Sequence, residues 1–370
     1  MVAAWTPEQL AGQVIVGRWS GTDPVQAASM VESMHLAGVQ LNGDNIVDEA
    51  QVRATNTAVT AAFSRTGRDF PPVIGVDQEG GSVSHLEGIT TALPAFAVDG
   101  QAVANGPTGA SAVQALATAT GLELRDLGFT WDFAPVADVT IGAADVTIGD
   151  RSASSDPQVA ARTVTAAVDG FNAAGVVSTL KHFPGHGRAT VDSHQELPQI
   201  DASMADLRAS DLVPFVAGIK AGAPAVMVGH LNVTALAPGV PTSLAPQTYT
   251  LLRDGLGFEG VAITDSLGMG AVTSRDQPEV EALNAGADLL LRPADTPAAY
   301  QQVTTAIQSG KVPRARAEDA AARVVALQRW QQRAAAANPV PADASAQSAA
   351  RVQELYAAAS GSGSGSGSGQ

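Results

Sequence analysis

The 370-residue chain contains no cysteine. That excludes disulfides, thiolate zinc sites, iron–sulfur clusters and a cysteine nucleophile. It leaves the compartment open, because a cysteine-free chain folds in oxidising or reducing surroundings alike. No run of about 18 apolar residues occurs, so no membrane span is expected. Met1 to Gly12 shows no basic segment followed by an apolar one, so no signal peptide is expected in the chain as written; an exported mature form stays open. Positive charge is also scarce. There are 21 basic residues against 36 acidic, a net charge of −15, and only Lys181, Lys220 and Lys311 are lysines. A nucleic-acid partner is therefore not expected, because neutralising phosphates needs clustered Lys and Arg.

What is present points to a packed α/β chain. Hydrophobic residues make up 45%, enough for a sizeable core. The length fits two domains or one α/β barrel. Short β-branched runs alternate with longer amphipathic stretches from about residue 5 to 335. Eight runs read as strands: Gln13–Val16, Val39–Leu41, Val73–Asp77, Thr130–Phe133, Val176–His182, Ala225–Leu231, Val261–Asp265 and Asp288–Arg292. Several are continuously apolar, as strands buried on both faces are. Ala110–Leu127, Asp156–Ala174 and Pro278–Ala285 read as helices, Asp156-Pro157 being a good helix start. The expected fold is a single (β/α)₈ TIM-type barrel over residues 1–337. A doubly wound sheet is the competitor, weakened by the lack of a Gly-x-Gly-x-x-Gly after a strand. Residues 338–359 read as a helical appendage, and 360–370 as a flexible Ser-Gly tail.

In such a barrel, chemistry collects at the C-terminal ends of the strands. Five candidate strands end in polar groups. The third gives Asp77-Gln78-Glu79, the fourth Asp132 and then Asp138, the fifth Lys181-His182 and then His186, the sixth His230, the seventh Asp265-Ser266. One such ending could merely cap a helix; five converging on one mouth predict a site. Lys181 on a buried strand is costly unless paired, which favours a site role. An ion pair between Asp77 and Arg151 or Lys181 is the plainer alternative. Asp132, Asp138 and Glu79 are expected to satisfy backbone groups at the mouth.

Three of the six histidines (His182, His186, His194) fall within thirteen residues, with Asp192 two residues before the last. Metal binding is disfavoured, because Pro184 and Gly185 break the helix on which a spacing of four would matter. His186, between glycines, is expected to hydrogen-bond loop backbone. Asp192 orienting His194 as an acid–base dyad remains open beside a purely structural cluster. A Ser-His-Asp hydrolase built on Ser266 lacks a Gly-x-Ser-x-Gly elbow.

Five segments resemble glycoside hydrolase family 3, in its branch of short bacterial β-N-acetylglucosaminidases. They are Val76–Gly81, Phe133–Val139, Ile148–Ser152, Lys181–Gly187 running on to Asp192-Ser193-His194, and Ile263–Met269, in family order. The resemblance implies a retaining reaction that removes terminal β-linked N-acetylglucosamine from peptidoglycan- or chitin-derived oligosaccharides. It implies Asp265 as the nucleophile, and His194 as the acid/base on a mobile loop, paired with Asp192; the glycine-flanked loop Gly185–His194 has the freedom to swing in and out. A free imidazole pKa near 6.5 suits both proton transfers. Asp77 would accept from sugar hydroxyls, and Arg151, Lys181 and His182 would donate to them. Met269 could line the pocket. No metal or organic cofactor is implied, and a monomer is expected.

One departure stands out. After Gly80-Gly81 the family usually has Arg, Val, any residue, Arg; here stand Ser82, Val83, Ser84 and His85. Neither Ser nor His fully replaces a bidentate, permanently charged guanidinium. His85 is expected to alter sugar preference or pH optimum. The rival readings are a β-glucosidase-like or phosphate-using member of the family, and a sugar-binding barrel without catalysis.

Overall fold

The structure is a computed structural model in which residues 2–145, 147–192 and 196–361 are described. All eight sequence-predicted runs form short strands. They are β1 (Ile15–Gly17), β2 (Gly38–Gln40), β3 (Val73–Val76), β4 (Trp131–Asp132), β5 (Thr179–Phe183), β6 (Ala225–Val228), β7 (Val261–Thr264) and β8 (Leu290–Leu291). One sheet runs β8-β1-β2-β3-β4 and a second runs β7-β6-β5, with every pairing parallel. Isolated parallel bridges join the two sheets at both seams, Trp131 with Val177 and Val136 with Lys181 at one, and Ile263 with Leu289 at the other. Parallel neighbours need a crossover, and the intervening helices supply it. The helix Pro157–Ala174 starts as its sequence predicts, with the Asp156 carboxylate accepting from the Gln158 and Val159 N–H groups.

The strands are buried on both faces, which is why their sequences show no polar alternation. Val16, Val73, Trp131, Phe133, Met227, Ile263 and Leu291 fill the space they enclose. The helix Arg314–Ala337 closes one end, where Val324 and Leu327 join the same core. Gln328 accepts from Gln13 Nε2 (2.7 Å) and Gln331 donates to the Gly175 carbonyl (3.0 Å). These contacts plug the N-terminal ends of the strands and leave the C-terminal ends for a site. A hairpin of Gln78–Gly80 with Val83–Ser84, and a parallel pair of Gln199–Ile200 with Asn232–Val233, add short strands beyond the eight.

The helix Ala344–Ala359, set apart in the sequence as an appendage, lies against the helices Phe96–Ala104 and Pro107–Asp126. Val352, Leu355 and Ala359 are buried there, and Asn105 donates to the carbonyls of Ala358 and Ala359 (3.1 and 2.7 Å). Among the described residues no helix is long and apolar enough to cross a membrane.

Gly38 shows how closely the strands pass. A Cβ on it would stand 1.7 Å from the Val73 carbonyl oxygen, a backbone atom that moves only with its strand. Gly38→Ala is therefore expected to cost at least about 1–3 kcal/mol of stability, read as a lower denaturation midpoint with an unchanged denaturant slope. An unaltered midpoint would mean that β2 and β3 yield without cost.

Candidate active site

A cavity of about 420 Å³ opens at the C-terminal ends of the strands. Its lining is assembled from elements far apart in sequence. Asp77 follows β3, and the hairpin beyond it brings Glu79 and His85. The turn Gly149–Arg151 brings Arg151, β5 brings Lys181 and His182, and β7 leads into Asp265 and Met269. Consecutive strand residues ordinarily face opposite sides. Here the pairing register with β6 shifts between Leu180 and Phe183, and both Lys181 and His182 face the cavity.

Four charged groups interlock on one wall. Lys181 is 2% exposed, and its Nζ reaches Asp77 Oδ1 (2.6 Å) and Glu79 Oε1 (2.5 Å). Arg151 grips Glu79 with two bonds, Nε to Oε2 (2.7 Å) and Nη2 to Oε1 (2.8 Å). Gln40 Nε2 donates to the remaining oxygen of Asp77. Burial alone would raise the Glu79 pKa, but Lys181 and Arg151 outweigh it and hold it down to about 2. Burial likewise works against the Lys181 charge, and Asp77 and Glu79 reverse the effect, leaving the ammonium more firmly protonated than in water. A buried charge survives when it is paired and hydrogen-bonded in this way.

A second group orders the histidines. Asp138 is wholly buried. Its Oδ1 accepts from the backbone N–H groups of His182 (3.0 Å) and His186 (2.7 Å), and its Oδ2 lies 2.8 Å from His182 Nδ1. Burial would raise its pKa, and His182 with these hydrogen bonds brings it below the usual range. Asp132 accepts from the Gln78 N–H (3.0 Å), and burial pushes its pKa well up. Both carboxylates thus satisfy backbone groups, as expected from the sequence. Glu79 does not: its partners are the two cations, because the hairpin turns its side chain into the cavity.

Asp265 is half-buried at the end of β7 and lines the cavity. Its Oδ1 accepts from the Ser266 N–H (2.7 Å). Burial would raise its pKa, but His182, His230, that N–H and Lys181 together lower it, so the carboxylate is ionised at neutral pH. His230 is held from both sides, by Ser243 Oγ (2.7 Å) and the Ser266 carbonyl (2.9 Å).

Of the residues singled out in the sequence, Asp77, His85, Arg151, Lys181, His182, Asp265 and Met269 all line this one cavity. His194 lies outside the described residues. Asp192 is half-buried, and its carbonyl accepts from the Glu196 N–H (3.1 Å). One residue back, the Val191 carbonyl accepts from Thr147 Oγ1 (3.4 Å), and Thr147 belongs to the cavity rim. The expectation that the whole loop from Gly185 swings freely needs correction. Its first half is pinned by Asp138 on His186 N, by the Arg188–Asp211 ion pair (2.9 Å) and by fully buried Ala189. Gly187 serves close packing there, since a Cβ on it would stand 2.1 Å from the Val139 carbonyl oxygen.

Residues 9–327 match the glycosyl hydrolase family 3 N terminal domain. The chain belongs to glycosyl hydrolase family 3. A β-hexosaminidase of Mycobacterium tuberculosis, LpqI, is 33% identical over 348 residues, covering 86% of this chain and 82% of that protein. A β-hexosaminidase of Stenotrophomonas maltophilia is 40% identical over 261 residues, covering 69% and 76%. Among solved structures, a family 3 β-N-acetylglucosaminidase from Paenibacillus sp. superposes with a TM-score of 0.87 at 30% identity, over 96% of this chain and 69% of that one.

This family 3 hydrolase also lines its cavity with Arg18, Gln40, Asn42 and Arg292, which sequence reasoning missed. Arg18 follows β1, Gln40 ends β2 with Asn42 just beyond it, and Arg292 follows β8. The rule that pointed to the other five strand ends applies to them equally. Their residue types simply do not announce acid–base chemistry.

Glu79→Gln would leave Lys181 and Arg151 sharing too little negative charge. We expect a loss of roughly 3–5 kcal/mol at neutral pH and a fall of about tenfold or more in kcat/KM from misplaced donors. Because the folded pKa of Glu79 is depressed to about 2 from an ordinary 4.5, its stabilisation is complete above pH 4.5 and disappears as pH falls toward 2. Thermal unfolding of both proteins should therefore converge on acidification. A gap that stays constant from pH 6 to pH 3 would contradict the assignment.

Proposed function

We propose that this chain is a retaining exo-β-N-acetylglucosaminidase. It removes terminal β-linked N-acetylglucosamine from peptidoglycan- or chitin-derived oligosaccharides through a glycosyl-aspartate intermediate. The catalytic unit is a (β/α)₈ barrel spanning 1–337, with the eight strands taken as one ring across the two bridged seams. The observation that carries the reading is Asp265. It is an ionised carboxylate at a strand end, in a cavity whose other walls offer hydroxyl-binding groups and, among the described residues, no other carboxylate free of a cation. Two relatives of 33% and 40% identity are named β-hexosaminidases, which supports an acetamido sugar as substrate.

In this reading the Asp265 carboxylate attacks the anomeric carbon as the bond to the leaving oxygen breaks. His194, oriented by Asp192, gives its proton to that oxygen. It then takes one from the water that cleaves the ester. Both roles rest on the family resemblance. Because the acid is a histidine, carboxylate separation does not report the stereochemistry. Asp77 accepts from sugar hydroxyls while Lys181 and Gln40 fix its orientation. Arg151 and Lys181 donate to hydroxyls, and His182 offers Nε2, since Asp138 occupies Nδ1. Met269 and His85 complete the wall.

The test is hydrolysis of 4-nitrophenyl β-N-acetylglucosaminide against the β-glucoside. We expect strong preference for the acetamido sugar, and free sugar as the product even in phosphate buffer. D265A should lose at least about 10³-fold and H194A about 10²–10⁴-fold. Preference for the glucoside would favour a glucosidase, sugar 1-phosphate a phosphate-using enzyme, and no turnover a sugar-binding barrel.

A further inference from the structure

Two guanidiniums in the cavity stand outside the charge network. Arg292 follows β8 and Arg18 follows β1, neighbours in the sheet. Arg292 is 9% exposed, and its Nη1 is buried without a hydrogen-bond partner. Among the described residues no carboxylate pairs with either guanidinium. The other two cations of the cavity, Arg151 and Lys181, are matched by Glu79 and Asp77, while Asp77 and Asp44 act on Arg292 only through space. Keeping two such charges half-buried in a chain of net charge −15 carries a desolvation cost that a bound anion would offset.

The surroundings are shaped for that purpose. Arg292 sits at φ 44, a left-handed conformation unfavourable to a long side chain and of the kind retained at ligand sites. Gly268 leaves room for Arg18, since a Cβ there would lie 3.0 Å from Arg18 Nη1. Beside them, Gln40 Oε1 and Asn42 Oδ1 are buried acceptors with no donor, suited to hydroxyl groups. Burial loosens the Arg292 proton and Arg18 adds to this, while Asp77 and Asp44 oppose it. An approaching anion would relieve the first two effects.

We infer that Arg18 and Arg292 form an anion-recognition subsite for a negatively charged substituent, a carboxylate or a phosphate ester, carried by the substrate sugar. Guanidinium forks match both groups bidentately, and the bare amide oxygens beside them receive the hydroxyls of the same sugar. The inference rests on the glycosidase reading above, in that the ligand is a sugar.

Calorimetric titration tests it with N-acetylglucosamine, N-acetylglucosamine 6-phosphate and N-acetylmuramic acid. At least one anionic sugar should bind the wild type about tenfold or more tightly than the neutral one. A gain for the first anion identifies a phosphate ester, a gain for the second a carboxylate. The ratio of anionic to neutral affinity should fall toward one in R292Q and R18Q, and R292K should keep part of it. Neutral sugar bound with no gain for either anion overturns this inference alone, as does a ratio that persists in both Gln variants. No binding of any of the three overturns the glycosidase reading with it.

Discussion

The ammonium of Lys181, buried between Asp77 and Glu79, is the interaction on which the rest of the cavity depends. A lone charge at that depth would neutralise or draw in water. Two carboxylates stabilise it, and a second cation, Arg151, balances the surplus. Each member fixes the next. Glu79 aims Arg151, Lys181 and Gln40 aim Asp77, and the hairpin after β3 holds Glu79 inward. Four separate segments are thereby locked around one wall. The wall keeps polar groups in place before any sugar arrives, which is the condition for groups that must act without reorganising.

The nucleophile candidate follows from the same economy of charge. Asp265 sits where burial alone would favour its neutral form. Its ionisation depends on His182, His230, the Ser266 N–H and Lys181. His182 is in turn held by Asp138, whose other oxygen ties down the backbone of the following loop. One buried carboxylate therefore orders His182, pins the start of the loop toward Asp192 and helps to set the electrostatics of Asp265.

Much of this was legible in the sequence, for identifiable reasons. All eight strands were visible because parallel strands buried on both faces are written as short apolar runs. Polar residues at the ends of five of them marked the mouth. Lys181 stood out as a lysine among buried neighbours. What could not be read was how the side chains meet. Glu79 looked like a backbone-satisfying residue, and only the two-residue strand at Val83–Ser84 reveals that it turns inward. Such short strands carry no periodicity. The glycines at 185 and 187 suggested a hinge, whereas Gly187 is required by the close approach of Val139. Arg18 and Arg292 were passed over because a guanidinium at a strand end signals no reaction by itself. Its meaning comes from the missing partner, which sequence does not display.

The central claim is that Asp265 forms a covalent bond to the sugar. Incubation with a slowly released 5-fluoro N-acetylglucosaminyl fluoride, followed by proteolysis and mass spectrometry, tests it directly. The account predicts a single glycosylated peptide, with the sugar esterified to Asp265. An adduct on Asp77 or Glu79, or steady turnover with inversion at the anomeric carbon and no adduct, would contradict it.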